Sequence, residues 1–165
     1  MKILFLDHQG VMRLDPVCWV TGNPELQDFN KDAVKNINDI ISETDCEIVV
    51  SSDWKLWINL SEMQSFYRRQ GLIKSPIGYT PDKSSEIKSP NDLTRLRMEE
   101  ITQWLNNNKD VSTWVAVDDL DLRKLERFVF IEDAKIGMTK DSLFVIKNYL
   151  NNLIYFIYIF SIFSF

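Results

Sequence analysis

Lys2-Ile3-Leu4-Phe5-Leu6-Asp7-His8-Gln9-Gly10-Val11 is the stretch whose reading decides the fold. Ile3 to Leu6 is apolar throughout and too short for a helix, so it predicts a strand buried on both faces. It ends in a carboxylate and then a glycine. A second apolar run, Trp114-Val115-Ala116-Val117, ends in Asp118-Asp119-Leu120-Asp121, and a third, Glu47-Ile48-Val49-Val50, ends in Ser51-Ser52. Carboxylates at the carboxyl ends of neighbouring parallel strands place a nucleophile and a hard-cation site in one crevice. The serines add hydroxyls for an anion, and the combination points to phosphoryl chemistry on an aspartate.

Helical patterns separate the strands. Asn30 is a capping residue for a helix over 31–42, whose Ala33, Val34, Ile37, Ile40 and Ile41 recur at helical spacing. The segment 54–70 predicts a helix with Leu56, Trp57, Leu60, Met63 and Phe66 inward, closed by Gly71. A further helix is expected over 93–106, burying Leu96, Ile101, Trp104 and Leu105, and a last one over 140–151. Ile77-Gly78-Tyr79-Thr80 and Phe128 to Ile131 read as short strands, and residues 11–29, with Pro16, Gly22 and Pro24, as a loop. Strands alternating with helices predict an α/β fold with a parallel central sheet. The aromatic residues Trp57, Trp104 and Trp114 read as core rather than as a base-stacking platform.

The chain has 165 residues, 45% of them hydrophobic and 12% aromatic, enough for one well-cored domain and too apolar for disorder. Net charge is −5, so a generic electrostatic hold on nucleic acid is disfavoured, although a local basic groove stays open. Two cysteines, Cys18 and Cys46, and one histidine, His8, give no zinc-ligand spacing. Idle thiols suit a reducing cytoplasm. The first apolar run is too short for a signal peptide. Residues 152–165, NLIYFIYIFSIFSF, form an uncharged aromatic tail with 11 apolar positions, short of the roughly 20 that span a bilayer. A packed terminal element, an aggregation-prone appendage and a membrane anchor are all open readings of it, the anchor being the least favoured.

Four motifs in order, ILFLDHQGV, IVVSSDWK, RMEEITQWL and WVAVDDLDL, followed by GMTKDSLFVIKNYL, resemble the haloacid dehalogenase (HAD) superfamily of phosphoryl-transfer enzymes. The nearest likeness is to small HAD domains of RNA-repair-associated proteins, over about residues 2–150. The resemblance implies a three-layer Rossmann-like fold with about five parallel strands, helices on both faces and no large cap, occupying 1–150, with the tail from 151 apart. It implies Asp7 as nucleophile of a Mg²⁺-dependent phosphohydrolase working through an aspartyl phosphate. It places Ser51, Ser52, Lys55 and Arg97 at the substrate phosphate, and Asp7, Gln9 (through its carbonyl), Asp118 and Asp119 at the metal. Arg95 and Lys88 compete with Arg97 for the cation role, and Lys55 has an exposed helix lysine as its alternative. Ser52 and Asp53 also suit the cap of the following helix.

One residue departs from the pattern. Gln9 stands where the family carries a second aspartate as general acid and base, and an amide cannot hold a proton for transfer. An impaired phosphatase and an inactive phosphate- and metal-binding domain therefore both remain open. His8 should face away from Asp7, because neighbours on a strand alternate sides, and packing is its expected role. An uncapped crevice admits a phosphate on a large substrate, such as a nucleic-acid end or another large phosphoester.

Overall fold

The structure is a computed structural model, and residues 1–14 and 28–153 are described. Expectations for the loop over 15–27 and the tail over 154–165 lie outside the described residues. Strands β1 (Lys2–Leu6), β2 (Glu47–Val50), β3 (Gly78–Tyr79), β4 (Thr113–Asp118) and β5 (Phe128–Phe130) form one parallel sheet in the order β3-β2-β1-β4-β5. Helices α1 (Lys31–Thr44), α2 (Leu60–Arg69), α3 (Asp92–Asn107) and α4 (Lys140–Leu150) connect or follow them. The architecture is the expected α/β, Rossmann-like one. No helix among the described residues is long and apolar enough to cross a membrane.

Strand parity divides the core. Leu4, Leu6, Ile48, Val50, Val115 and Val117 point to one face, where they pack with Ile37 and Ile40 of α1, Met63 and Phe66 of α2, and Ile146 and Leu150 of α4. Ile3, Phe5, Val49 and Ala116 point to the other, against Ile101 and Trp104 of α3. A period of two along each strand produces both layers, since each strand is buried on both sides. The ring of Phe5 meets Trp104 edge-on at 5.4 Å and Trp114 at 5.9 Å.

Asn30 caps α1 as expected, its Oδ1 accepting from Asp32 N at 2.9 Å and Ala33 N at 3.1 Å. Gly71 holds the left-handed conformation, with φ +85°. The helix expected over 54–70 is two pieces. A single short turn, Asp53–Leu56, is followed by α2, which starts only at Leu60. Asn59 and Glu62 form a reciprocal capping box there, and that local bonding outcompetes continuation of one helix. The break rotates the first turn, so Leu56 and Trp57 are 39% and 61% exposed rather than inward. Trp57 is therefore not core, whereas Trp54 and Trp104 are buried.

Candidate metal and phosphate site

β1 is the central strand, and the chain leaves it towards β2 on one side and returns to β4 on the other. The register sets Leu6 beside both Val50 and Val117. Asp7, Ser51 and Asp118 consequently stand at one level at the sheet's carboxyl edge. Asp7 N donates to Val117 O at 3.1 Å, and Ser51 N donates to Leu6 O at 3.0 Å. Parity then aims the side chains. Asp7 continues the row of Ile3 and Phe5, Ser51 that of Val49, and Asp118 that of Ala116, so all three belong to the α3 face. Carboxylate oxygens of Asp7, Asp118 and Asp119 come within 4.8 Å of one another.

Asp119 reaches the group because Gly10 lies directly beneath it. A Cβ on Gly10 would stand 2.8 Å from Asp119 Cγ and 2.9 Å from its Cβ, and the residue has φ +70°. Only glycine combines that conformation with that approach.

The opposing charge comes from α3. Arg97 shares a helical stripe with Ile101 and Trp104, and Arg97 is itself buried. Its Nη1 donates to Asp118 Oδ2 at 2.9 Å, to Asp7 Oδ1 at 3.2 Å and to the Ser51 carbonyl, while Nη2 donates to Asp53 Oδ1 at 3.0 Å. Of the rival cations, Arg95 is a surface residue paired with Asp92 and Glu99, and Lys88 is exposed.

One guanidinium cannot balance this many buried acids. Burial, with Asp118 close by, pushes Asp7 well above the usual carboxylate range despite Arg97. Burial raises Asp118 to about 6 against the pull of Arg97, and burial raises Asp119 as well. Burial works against the charge on Arg97, but Asp118, Asp7 and Asp53 outweigh it and hold its pKa above the ordinary value. The site thus lacks positive charge, which is the electrostatic condition for taking up a divalent cation. The donors are all carboxylate oxygens, the type that suits magnesium. Among the described residues the buried Ser51 Oγ has no hydrogen-bond partner, an expensive state unless a ligand supplies one.

The remaining residues are placed as follows. Ser52 is buried at the cap position of the 53–56 turn but makes no side-chain cap bond. Asp53 engages Arg97 instead of capping. Lys55 is not an exposed helix lysine. Its side chain is buried, and Nζ donates to Glu100 Oε2 at 2.5 Å, Thr80 Oγ1 at 3.0 Å and Pro81 O at 2.9 Å. Those three protein acceptors match the three donors of the ammonium, so Lys55 faces no open phosphate position here. Gln9 is half-buried and bridges to Arg13. His8 points to the α1–α2 face, as strand alternation predicts. Its Nε2 lies 2.8 Å from Tyr67 Oη, its ring meets Trp54 edge-on at 4.7 Å, and burial with the nearby Arg97 charge lowers its pKa to about 3.

Sequence reading did not single out Glu100 or the Asp53–Arg97 pair. Glu100 follows Arg97 by three positions and precedes Ile101, so the helical stripe itself marked it as inward. Asp53 carried no comparable signal, because its role depends on where the broken helix turns.

Three carboxylates and an internal arginine at the switch of a Rossmann-like sheet define a HAD-type domain. The family model for the HAD domain in Swiss Army Knife RNA repair proteins matches residues 3–143, and the chain belongs to that family. Comparison with curated proteins and with solved structures gives no significant match.

Proposed function

We propose that the domain is a Mg²⁺-dependent phosphohydrolase in which Asp7 attacks the phosphorus of a phosphate monoester. The observation that carries this is the meeting of Asp7, Asp118, Asp119, Arg97 and a Ser51 Oγ without a partner among the described residues, all at one strand edge. Asp7, Asp118, Asp119 and the carbonyl of Gln9 would hold the ion. A bound Mg²⁺ supplies charge neutralisation between the nucleophile and the phosphate.

The residues divide the work. An Asp7 oxygen forms a bond to phosphorus as the bond to the leaving oxygen breaks, giving an aspartyl phosphate. Ser51 Oγ donates to a phosphate oxygen, and Arg97 offsets the charge of the carboxylates and the phosphate together. The leaving oxygen needs a proton, and water needs a base in the second half-reaction. Gln9 can serve neither step. His8 is turned to the opposite face and held neutral, so it does not stand in. The proton must pass through solvent, which costs about 10²–10⁴-fold in rate. The substrate class is a phosphate on a large carrier, a nucleic-acid end or similar phosphoester, because 24 residues alone separate β1 from α1 and leave no room for a cap domain.

The test is hydrolysis of a generic phosphate ester with Mg²⁺ by the wild type, Asp7→Asn and Gln9→Asp. The reading expects slow wild-type turnover, none in Asp7→Asn, and a gain of about 10²-fold or more in Gln9→Asp. Equal rates in wild type and Asp7→Asn would refute it. Gln9 favours a second reading, a domain that binds metal and phosphate without turnover. It predicts phosphate binding that depends on Ser51 and no detectable hydrolysis by the wild type.

A further inference from the structure

We propose that Asp53 is a specificity-determining residue, an internal carboxylate that occupies the outer nitrogen of Arg97 and keeps small free phosphate weakly bound. The inference rests on the phosphate-site reading above and deepens it. Arg97 divides its donors between two sides. Nη1 is spent inward on Asp7, Asp118 and the Ser51 carbonyl, and Nη2 is spent outward on Asp53 at 3.0 Å. Arg97 is buried, whereas the Asp53 side chain is 43% exposed, so Asp53 is the partner that lies between the guanidinium and solvent. A crevice of about 50 Å³ adjoins the same pair, bounded also by Leu56, Ile87 and Glu100. Asp53 already occupies Nη2, so an anion reaching that nitrogen must displace its carboxylate.

Charge counting shows the consequence. Four carboxylates, those of Asp7, Asp118, Asp119 and Asp53, surround one guanidinium. Lys55 contributes nothing further, because Glu100 neutralises it. With all four ionised and a divalent ion in place, the site keeps one net negative charge, and a phosphate dianion adds to it. Without Asp53 the same site is neutral before the anion arrives. Asp53 therefore competes for Arg97 and also repels the anion. A substrate with a large carrier compensates through contacts elsewhere, whereas inorganic phosphate has none and is released.

The experiment is calorimetric titration of inorganic phosphate, with Mg²⁺ present, into the full chain. Wild type, Ser51→Ala, Asp53→Asn, Asp53→Ser and Asp53→Glu are compared, each checked for a wild-type melting profile. The two neutral variants should bind phosphate about tenfold more tightly than wild type, from removal of one nearby charge at a partly wet site. Asp53→Glu should return to wild-type affinity. The gap between Asp53→Asn and wild type should narrow as salt rises, which a merely structural role would not produce. If one neutral variant fails to fold, the other decides. Ser51-dependent binding by wild type with no gain, or a loss, in the neutral variants overturns the role of Asp53 and leaves the phosphate site standing. Absence of binding in every variant overturns the phosphate-site reading and this inference with it.

Discussion

Replacing Arg97 by methionine tests the electrostatic argument most directly. The substitution keeps an unbranched apolar stem and removes the only cation touching Asp7 and Asp118 among the described residues. Breaking a buried ion pair from one side costs about 3–5 kcal/mol, because the stranded charge stays buried. For a domain of this size that lowers the melting temperature by roughly 10 °C. The pH dependence is the sharper signature. Asp118 titrates at about 6 in the folded protein against a reference of 3.8. Between those values the unfolded chain has released the proton and the folded one still holds it, so stability falls as pH rises through that window. For this one carboxyl the loss is on the order of 3 kcal/mol. Without Arg97 the folded-state pKa values of Asp7 and Asp118 climb further, and the loss extends to higher pH. Urea unfolding in chelator should therefore show a small gap between wild type and Arg97→Met near pH 4.5 and the full gap at pH 7.5. Mg²⁺ should restore more stability to the variant than to wild type, since it replaces the missing charge. A gap under about 1 kcal/mol at pH 7.5, or an equal gap at both pH values, would refute the reasoning.

Other substitutions separate placement from chemistry. Gly10→Ala drives a methyl into Asp119 at a positive φ, so Mg²⁺ affinity by calorimetry should fall at least about tenfold, with roughly 1 kcal/mol or more of stability lost. Unchanged affinity would show that Asp119 is not positioned by this contact. Lys55→Met strands the buried Glu100 carboxylate and should cost about 3–5 kcal/mol in urea, most of it recovered in the Lys55→Met, Glu100→Leu double variant. If the double variant is no more stable than the single one, the pair is not the source of the loss. Trp54→Ala should cost about 3–5 kcal/mol, but Trp57→Ala should stay within about 0.5 kcal/mol. Equal losses would mean that Trp57 is packed.

Strands β1, β2 and β4 were legible because each holds a short apolar run closed by a polar residue. The period of two puts His8 opposite Asp7, and the strand register then sets Asp7, Ser51 and Asp118 on one face. Arg97 was legible through the family resemblance, from its place ahead of Met98-Glu99-Glu100-Ile101. The segment after Ser51 was misread for an identifiable reason. Leu56, Trp57, Leu60, Met63 and Phe66 satisfy a helical period, but Asn59 with Glu62 is a capping pair, and a cap inside a periodic run overrides the period. The error also hid the partners of Asp53 and Lys55, which were expected at a helix cap and at the substrate phosphate. In the fold both lie on the 53–56 turn, which directs Asp53 to Arg97 and Lys55 to Glu100.

The two buried ion groups on α3 explain why this helix alone carries the cation. Arg97 and Glu100 are on the same buried stripe as Ile101 and Trp104, so docking α3 on the sheet desolvates both charges at once. The turn at 53–56 brings a partner to each, Lys55 for Glu100 and Asp53 for Arg97, the latter in addition to Asp7 and Asp118. The apolar contacts of Phe5 with Trp104 set how closely α3 approaches, while the ion pairs set where along the sheet it stops. A slide of one helical turn, about 5.4 Å, would keep apolar surface covered yet leave at least one buried charge without its partner. The ion pairs thus add to the apolar contacts of Ile101 and Trp104 in setting the register between α3 and the 53–56 turn. Arg97 is held from both sides, by Asp7 and Asp118 of the acid site and by Asp53 outside it.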